Sequence, residues 1–209
     1  VNPTQNLVDA FPAANGYPID RPESKYDKAK PYDSRDPRLR QYIAYNGNTI
    51  SGKTILTGVG GGIDAKDSLE TSTRTGYYLK KLLVEEVNMN PVSTTTQKHY
   101  EVHMRYTELF LLYAEAANEA WGPTGSGTWG YSARDVISAI RSRAGIPKVD
   151  PYLMSVSTKE DMRQLIRNER RLELCFEGFR FWDLRRWKAD LTETAKGVTI
   201  NRGTYTVVD

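Results

Sequence analysis

The stretch Ile166-Arg-Asn-Glu-Arg-Arg-Leu-Glu-Leu-Cys-Phe-Glu-Gly-Phe-Arg-Phe-Trp-Asp-Leu-Arg-Arg-Trp187 decides the fold. Met162, Leu165, Ile166, Leu172 and Phe176 form one stripe at helical spacing, which predicts an amphipathic helix. Thr158, followed three residues later by Asp161, supplies N-cap chemistry for its start. Gly178 breaks it, and Phe179 to Ala189 predicts a short final helix. Glu169, Glu173 and Glu177 stand four apart among Arg167, Arg170, Arg171, Arg180, Arg185 and Arg186. Like charges at that spacing repel modestly, so an arginine–carboxylate network binding this helix to the next is expected. The competing reading is a glycosidase pair, whose carboxylates flank the scissile bond about 5–9 Å apart. Cys175, set among Leu174 and Phe176, reads as a buried, inert thiol, and Trp182 and Trp187 as core or helix-interface residues.

Working outward, His103 to Trp121 carries Tyr106, Leu109, Phe110, Tyr113, Ala117 and Ala120 at three- and four-residue intervals, with Gly122 and Pro123 as the stop. Ser132 with Asp135 has the form of a capping box, opening a helix through Val136, Ile137, Ile140 and Ala144 to Gly145. This pair resembles one unit of a helical-hairpin repeat. One unit cannot bury its own apolar face and needs neighbours.

The first half reads differently. Six of the ten prolines lie between Pro3 and Pro37, which predicts an extended, turn-rich segment rather than helices. Tyr77 to Val87 fits a strand or a short helix equally well. The expected division is a loop-rich segment with short strands over 1–98, a helical core over 99–190 and a C-terminal tail over 191–209. The fold class is mainly α.

Composition removes several functions. Lys and Arg total 29 against 26 Asp and Glu, a balance that does not suggest a nucleic-acid binder. Apolar runs such as Leu109 to Tyr113 are too short for a transmembrane helix. One cysteine excludes an internal disulfide framework and a cysteine-rich zinc module.

Three motifs have weak contexts. Gly47-Asn-Thr-Ile-Ser-Gly52-Lys53-Thr54 matches a phosphate-binding loop letter for letter, but such a loop must join a buried strand to a helix. Here polar and aromatic residues precede it and glycines soon follow, so a turn between short strands is expected. The run Gly58 to Ile63 has Ile where a dinucleotide fingerprint needs its third glycine, which leaves a flexible surface loop. His99 and His103 flank Glu101 four residues apart, yet they are the only histidines, and a zinc site would need a distant third ligand. No cofactor or metal is expected, and no catalytic constellation is evident.

Aromatic residues on the loops remain. Tyr17, Tyr26, Tyr32, Tyr42 and Tyr45 are dispersed among Asp20, Arg21, Asn46 and Asn48, while Trp121, Trp129 and Tyr131 occupy the connection between helices. Rings beside amides and charges either cover a core beneath long loops or stack on a ligand while their neighbours bond its hydroxyls.

The stretch quoted first resembles the helix–Gly–helix signature of the SusD/RagB family. Further segments follow in that family's order: Asn2-Pro-Thr-Gln-Asn-Leu-Val-Asp-Ala-Phe11 with Asn15-Gly16, Arg35-Asp-Pro-Arg-Leu39, Thr75-Gly-Tyr77, Arg105 to Ala117, and Ala139-Ile-Arg-Ser-Arg-Ala-Gly145. The resemblance covers essentially the whole chain. It implies a non-catalytic glycan-binding lipoprotein on the outer face of the Bacteroidetes outer membrane, sitting as a lid over a SusC-like, TonB-dependent transporter. It also implies tetratricopeptide-like helix pairs with a large irregular region. Some relatives of this type take up peptides, which is the alternative cargo. The expectation is a C-terminal portion, lacking most helix pairs, the lipidated cysteine through which the membrane would be reached, and the usual closing segment. Around Arg170, Glu177, Arg180 and Asp183 the signature reads as structural. For ligand contact the resemblance favours the region around Asp36-Pro37-Arg38. Tyr17, Tyr26, Tyr32 and Tyr45 are then the stacking candidates, with Asp20, Arg21 and Asn46 as hydrogen-bonding partners and Trp129 as an outlying aromatic candidate for ligand binding.

Overall fold

A computed structural model describes residues 1–100 and 102–209; Glu101 lies outside the described residues. In chain order the elements are α1 (Gln5–Ala10), α2 (Pro37–Tyr42), β1 (Ile43–Ala44), β2 (Thr49–Ile50), β3 (Lys53–Thr54), β4 (Tyr78–Leu79), α3 (Tyr106–Trp121), α4 (Ala133–Arg143), α5 (Pro151–Ser155), α6 (Lys159–Glu173), α7 (Phe179–Arg186), β5 (Gly197–Asn201) and β6 (Thr204–Val208). Short 3-10 turns lie at Pro22–Ser24 and Gly62–Asp64. The chain is mainly helical, with three separate two-stranded antiparallel sheets among the described residues.

The caps act as their chemistry requires. The Ser132 hydroxyl accepts from Asp135 N–H while the Asp135 carboxylate accepts from Ser132 N–H, a complete capping box. Thr158 accepts from Asp161 N–H to start α6. Asp36 and Asp150 cap α2 and α5, each followed by Pro at the first helical position.

Two cores meet at α6. Leu111, Ala114 and Ala117 of α3, Ile137 and Ile140 of α4, and Met162, Leu165 and Ile166 of α6 form the first. Val8, Phe11, Leu39, Ile43, Tyr77, Leu172, Val198 and Ile200 form the second, so α6 belongs to both. The outward stripe of α3, with Tyr106, Leu109 and Phe110, remains exposed. That is the uncovered face expected of a lone helical hairpin.

Several expectations need correction. The proline-rich segment holds a helix, α1, because Thr4 caps it and Val8 and Phe11 bury completely. Between Tyr77 and Val87 the backbone is a strand only over Tyr78–Leu79, paired with β1. Helix α6 ends at Glu173, and Phe176 has φ +67 and packs in the second core rather than extending the stripe. Trp182 is 67% exposed, because α7 turns Asp183 inward and the neighbouring Phe181 and Trp182 outward. Trp187 does sit at an interface, where its indole N–H donates to Glu115 of α3 at 2.7 Å.

The phosphate-loop lookalike is a hairpin: β2 and β3 pair antiparallel around Ser51 and Gly52, both at positive φ, with Lys53 in a strand. The glycine run lies at the surface, with Val59 and Ile63 exposed, and Val59 N–H donates to the Ile200 carbonyl at 2.8 Å. Both histidines precede α3, so they share no helical face. The C-terminal residues form a hairpin, β5–β6, turning through Arg202 and Gly203 at φ +48 and +80.

Candidate functional site

The site begins with α1. Gln5 N–H donates to the Lys196 carbonyl at 2.7 Å, joining α1 to the approach of β5. Asn168 of α6 donates from its amide to the Ala10 carbonyl at 2.9 Å. Beyond α1 the chain loops out through residues 14–34 and returns, with Asp36 N–H donating to the Pro12 carbonyl at 2.9 Å. Arg35 fastens the neck of this loop. Its guanidinium donates to the carbonyls of Pro31 (2.7 Å), Val8 (2.6 Å) and Phe11 (2.7 Å), and lies 5.2 Å from the Tyr26 ring centre.

Gly16 is where the loop touches the helical core. Arg141 of α4 donates to its carbonyl at 2.7 Å, and the same guanidinium reaches Asp150 at 2.6 Å and Glu169 at 2.8 Å. Gly16 has φ +90, and a Cβ there would lie 2.6 Å from an Asp150 oxygen. Only glycine fits both constraints.

Between the loop, α1, α6 and the β5–β6 hairpin lies an open cleft of about 1070 Å³. Its walls include Tyr26, Tyr32, Tyr77, Tyr152 and Tyr205, with Asp9, Asp20, Arg21, Gln164 and Asn168 among the polar groups. Tyr32 is the hub. Its ring stacks on Tyr45 with centres 4.1 Å apart and planes at 21°, and meets Tyr77 and Tyr205 edge-on at 6.3 and 5.6 Å. The Tyr32 hydroxyl donates to the Tyr77 hydroxyl at 3.2 Å, and Tyr77 donates to Gln5 Oε1 at 2.5 Å. Gln5 Nε2 donates in turn to Asp9 Oδ1 at 2.7 Å. Burial pushes the Tyr32 and Tyr77 hydroxyls far above the ordinary tyrosine range, so both stay neutral.

Of the residues expected from sequence, Asp20, Arg21, Tyr26 and Tyr32 line this cleft. Tyr17 does not line it but packs at 5.5 Å on Tyr152, which does. Tyr45 lies behind Tyr32 and faces a smaller pocket of about 570 Å³ with Arg35 and Arg40. Asn46 is occupied by its own loop, its carbonyl oxygen accepting from Thr57 N–H at 2.9 Å and Gly58 N–H at 3.3 Å. Trp129 is 69% exposed on the α3–α4 connection and is not part of the cleft wall. Gln5, Tyr77, Tyr152 and Tyr205 also line the cleft, outside the set expected from sequence. Only Tyr205 had a local signal, since Val198, Ile200, Tyr205 and Val207 alternate about Arg202-Gly203.

Behind the cleft runs the arginine–carboxylate network. Glu169 is fully buried between Arg38 (3.0 Å) and Arg141 (2.8 Å). Glu173 meets Arg38 (3.1 Å), Arg105 (3.0 Å) and Arg143, and Glu177 meets Lys81 (2.5 Å) and Arg105 (2.9 Å). The network thus exists, but its cations come from α2, α4 and the chain before α3, not from the arginines interleaved on α6. Of those interleaved arginines, Arg170 instead pairs with Asp183 at 3.0 Å, fixing α7 against α6. Burial works to raise the pKa of Glu169, but Arg38 and Arg141 outweigh it and hold the group below the usual carboxylate range. Glu173 is likewise lowered, burial being outweighed by Arg105, Arg38 and Arg143. A glycosidase acid needs the opposite shift, so these carboxylates are suited to structure rather than proton donation.

Comparison with known proteins places this architecture. The model of the SusD family matches residues 1–206. SusD-like protein P38 of Formosa agariphila is 33% identical over 126 residues, covering 58% of this chain and 22% of its own. SusD-like protein P2 of the same organism is 32% identical over 90 residues, covering 42% and 17%. A SusD-like protein of Bacteroides fragilis superposes with TM-score 0.76 at 29% identity, covering 99% of this chain and 40% of its own. A SusD-like carbohydrate binding protein from the same species gives TM-score 0.67 at 30% identity, covering 90% and 35%. The chain therefore matches about a fifth of the curated relatives' length and well under half of the solved structures'.

Proposed function

The chain belongs to the SusD family, and from that premise we propose that it binds a glycan in the tyrosine-lined cleft without cleaving it. The observation that carries this reading is the cleft wall itself. Tyr26, Tyr32 and Tyr205 offer ring surface from a loop and from the terminal hairpin, beside the hydrogen-bonding groups of Asp9, Asp20, Arg21 and Gln164. A sugar ring has an apolar C–H face and a rim of hydroxyls, which that combination matches. The volume of about 1070 Å³ lies just above the usual small-ligand range of roughly 300–1000 Å³, so it suits an oligosaccharide stretch better than one sugar.

The carbohydrate-binding relative in Bacteroides fragilis supports the same cargo. The saturated state of Glu169 and Glu173 supports capture over hydrolysis. In this reading the glycan passes to a SusC-like, TonB-dependent transporter, and the protein acts at the outer face of the outer membrane as a lipoprotein. Weak single-site binding would gain from display of many copies.

Affinity gel electrophoresis against a polysaccharide panel tests the reading, with the Tyr26→Ala/Tyr205→Ala double variant beside the parent protein. Retardation by one glycan, abolished in a folded double variant, is the expected result. Retardation that survives both substitutions would place capture elsewhere. No retardation of folded protein by any glycan would overturn glycan capture and favour a peptide cargo.

A further inference from the structure

The hydrogen-bond chain under the cleft has a direction, and one residue sets it. A carboxylate accepts hydrogen bonds and cannot donate them. Gln5 therefore turns its amide N–H toward Asp9, at 2.7 Å, which leaves its carbonyl oxygen facing Tyr77. Tyr77 must donate to that oxygen, its single proton is used, and it can only accept from Tyr32. Tyr32 then spends its own proton on Tyr77. Each link follows from the one before, and the whole chain is oriented from Asp9.

We infer that Asp9 acts through Gln5 and Tyr77 as a specificity-determining positioning residue, making the Tyr32 oxygen an obligate acceptor in the cleft and selecting ligands that present hydroxyl donors. The inference rests on the cleft being the glycan site. Tyr32 makes no other hydrogen bond among the described residues, so its lone pairs are the group left for a ligand. Asp9 is exposed and lines the same cleft, so it adds a second acceptor to the cleft wall. A hydroxyl satisfies such a floor. A methyl ether, which has lost its proton, meets oxygen lone pairs with lone pairs, and the buried acceptor loses its partner.

Asp9→Asn separates this relay from simple contact. An asparagine can donate to Gln5, whose amide is then free to turn. Tyr77 would accept from the Gln5 amide and donate to Tyr32, releasing the Tyr32 proton toward the cleft. The probes are the neutral polysaccharide that gives the strongest retardation of the parent protein and a partly O-methylated preparation of it. The parent protein is expected to be retarded by the first and to lose retardation in the second. Asp9→Asn is expected to gain retardation in the methylated gel, and Tyr32→Phe in that background to lose the gain while keeping the ring.

Equal retardation of the parent protein by both preparations would overturn the acceptor floor and leave glycan capture standing. A folded Asp9→Asn protein that loses both would make Asp9 a direct contact and overturn the relay. If no polysaccharide retards the folded parent protein, glycan capture falls, and this inference falls with it.

Discussion

Arg141 and Glu169 meet at 2.8 Å in the interior, and the far side of the same guanidinium holds the carbonyl of Gly16, where the cleft loop starts. The loop that carries Tyr26 and Tyr32 is thereby anchored to the helical core through a buried ion pair. Without Glu169, Arg141 keeps Asp150 and Arg38 keeps Asp36 and Glu173, but two buried guanidinium groups each lose a counter-charge.

Glu169→Gln should therefore destabilise the protein by roughly 3–5 kcal/mol, read from urea unfolding. The pH dependence has a definite sign. Glu169 and Glu173 are held below their ordinary value of 4.5, so the stability they contribute is complete above that pH. It is lost as pH falls through their depressed native values. Unfolding free energy should stay level from neutral pH to about 4.5 and decline below it, with a shallower decline in Glu169→Gln. An equally steep decline in the variant would remove Glu169 from the account.

Gly16→Ala should damage the site without touching a cleft ring. The added Cβ would have to displace Asp150 or Arg141, and the backbone at φ +90 resists any side chain. We expect a loss of about 1–3 kcal/mol in stability and weaker retardation by the captured glycan. A melting temperature equal to that of the parent protein would contradict the anchoring.

The Cys175 thiol should be slow to react. Burial pushes its pKa up to about 11, so little thiolate exists at pH 8 and little of the sulfur is accessible. Ellman's reagent should titrate it slowly in buffer and at once in guanidinium chloride. Fast labelling of the native protein would refute this packing.

Trp182 and Trp187 should respond oppositely to truncation. Trp182 is open to solvent, so Trp182→Ala should cost no more than about 0.5 kcal/mol. Trp187 bonds Glu115 and lies under the guanidinium groups of Arg167 and Arg186 at 4.9 and 4.7 Å, so Trp187→Ala should cost roughly 1–3 kcal/mol. Chemical denaturation of the two variants, with acrylamide quenching to compare ring exposure, decides the matter.

The helices of the second half were legible because their information is local. Ser132 with Asp135 and Thr158 with Asp161 announce starts, and apolar spacing gives the inward face of α4 and α6. The carboxylate row announced a network but not its partners, since Arg38 reaches Glu173 across 135 positions of sequence. The cleft divides in the same way. Tyr26 and Tyr32 stand out as rings on a loop, whereas Tyr77 joins the site through long-range contacts, meeting Tyr32 across 45 positions and Gln5 across 72. Asp9 carries no sign of its role in the sequence, because the direction of a hydrogen-bond chain exists only once its members are assembled.

Helix α6 serves both cores, giving Ile166 to one and Leu172 to the other, with Glu169 and Glu173 clamped between. Mechanically it is a party wall. Neither room stands without it, so the molecule has no natural fracture line along which one half could loosen and the other persist. Loss of order is then expected in a single cooperative step, and the cleft should survive or vanish together with helices that never touch a ligand.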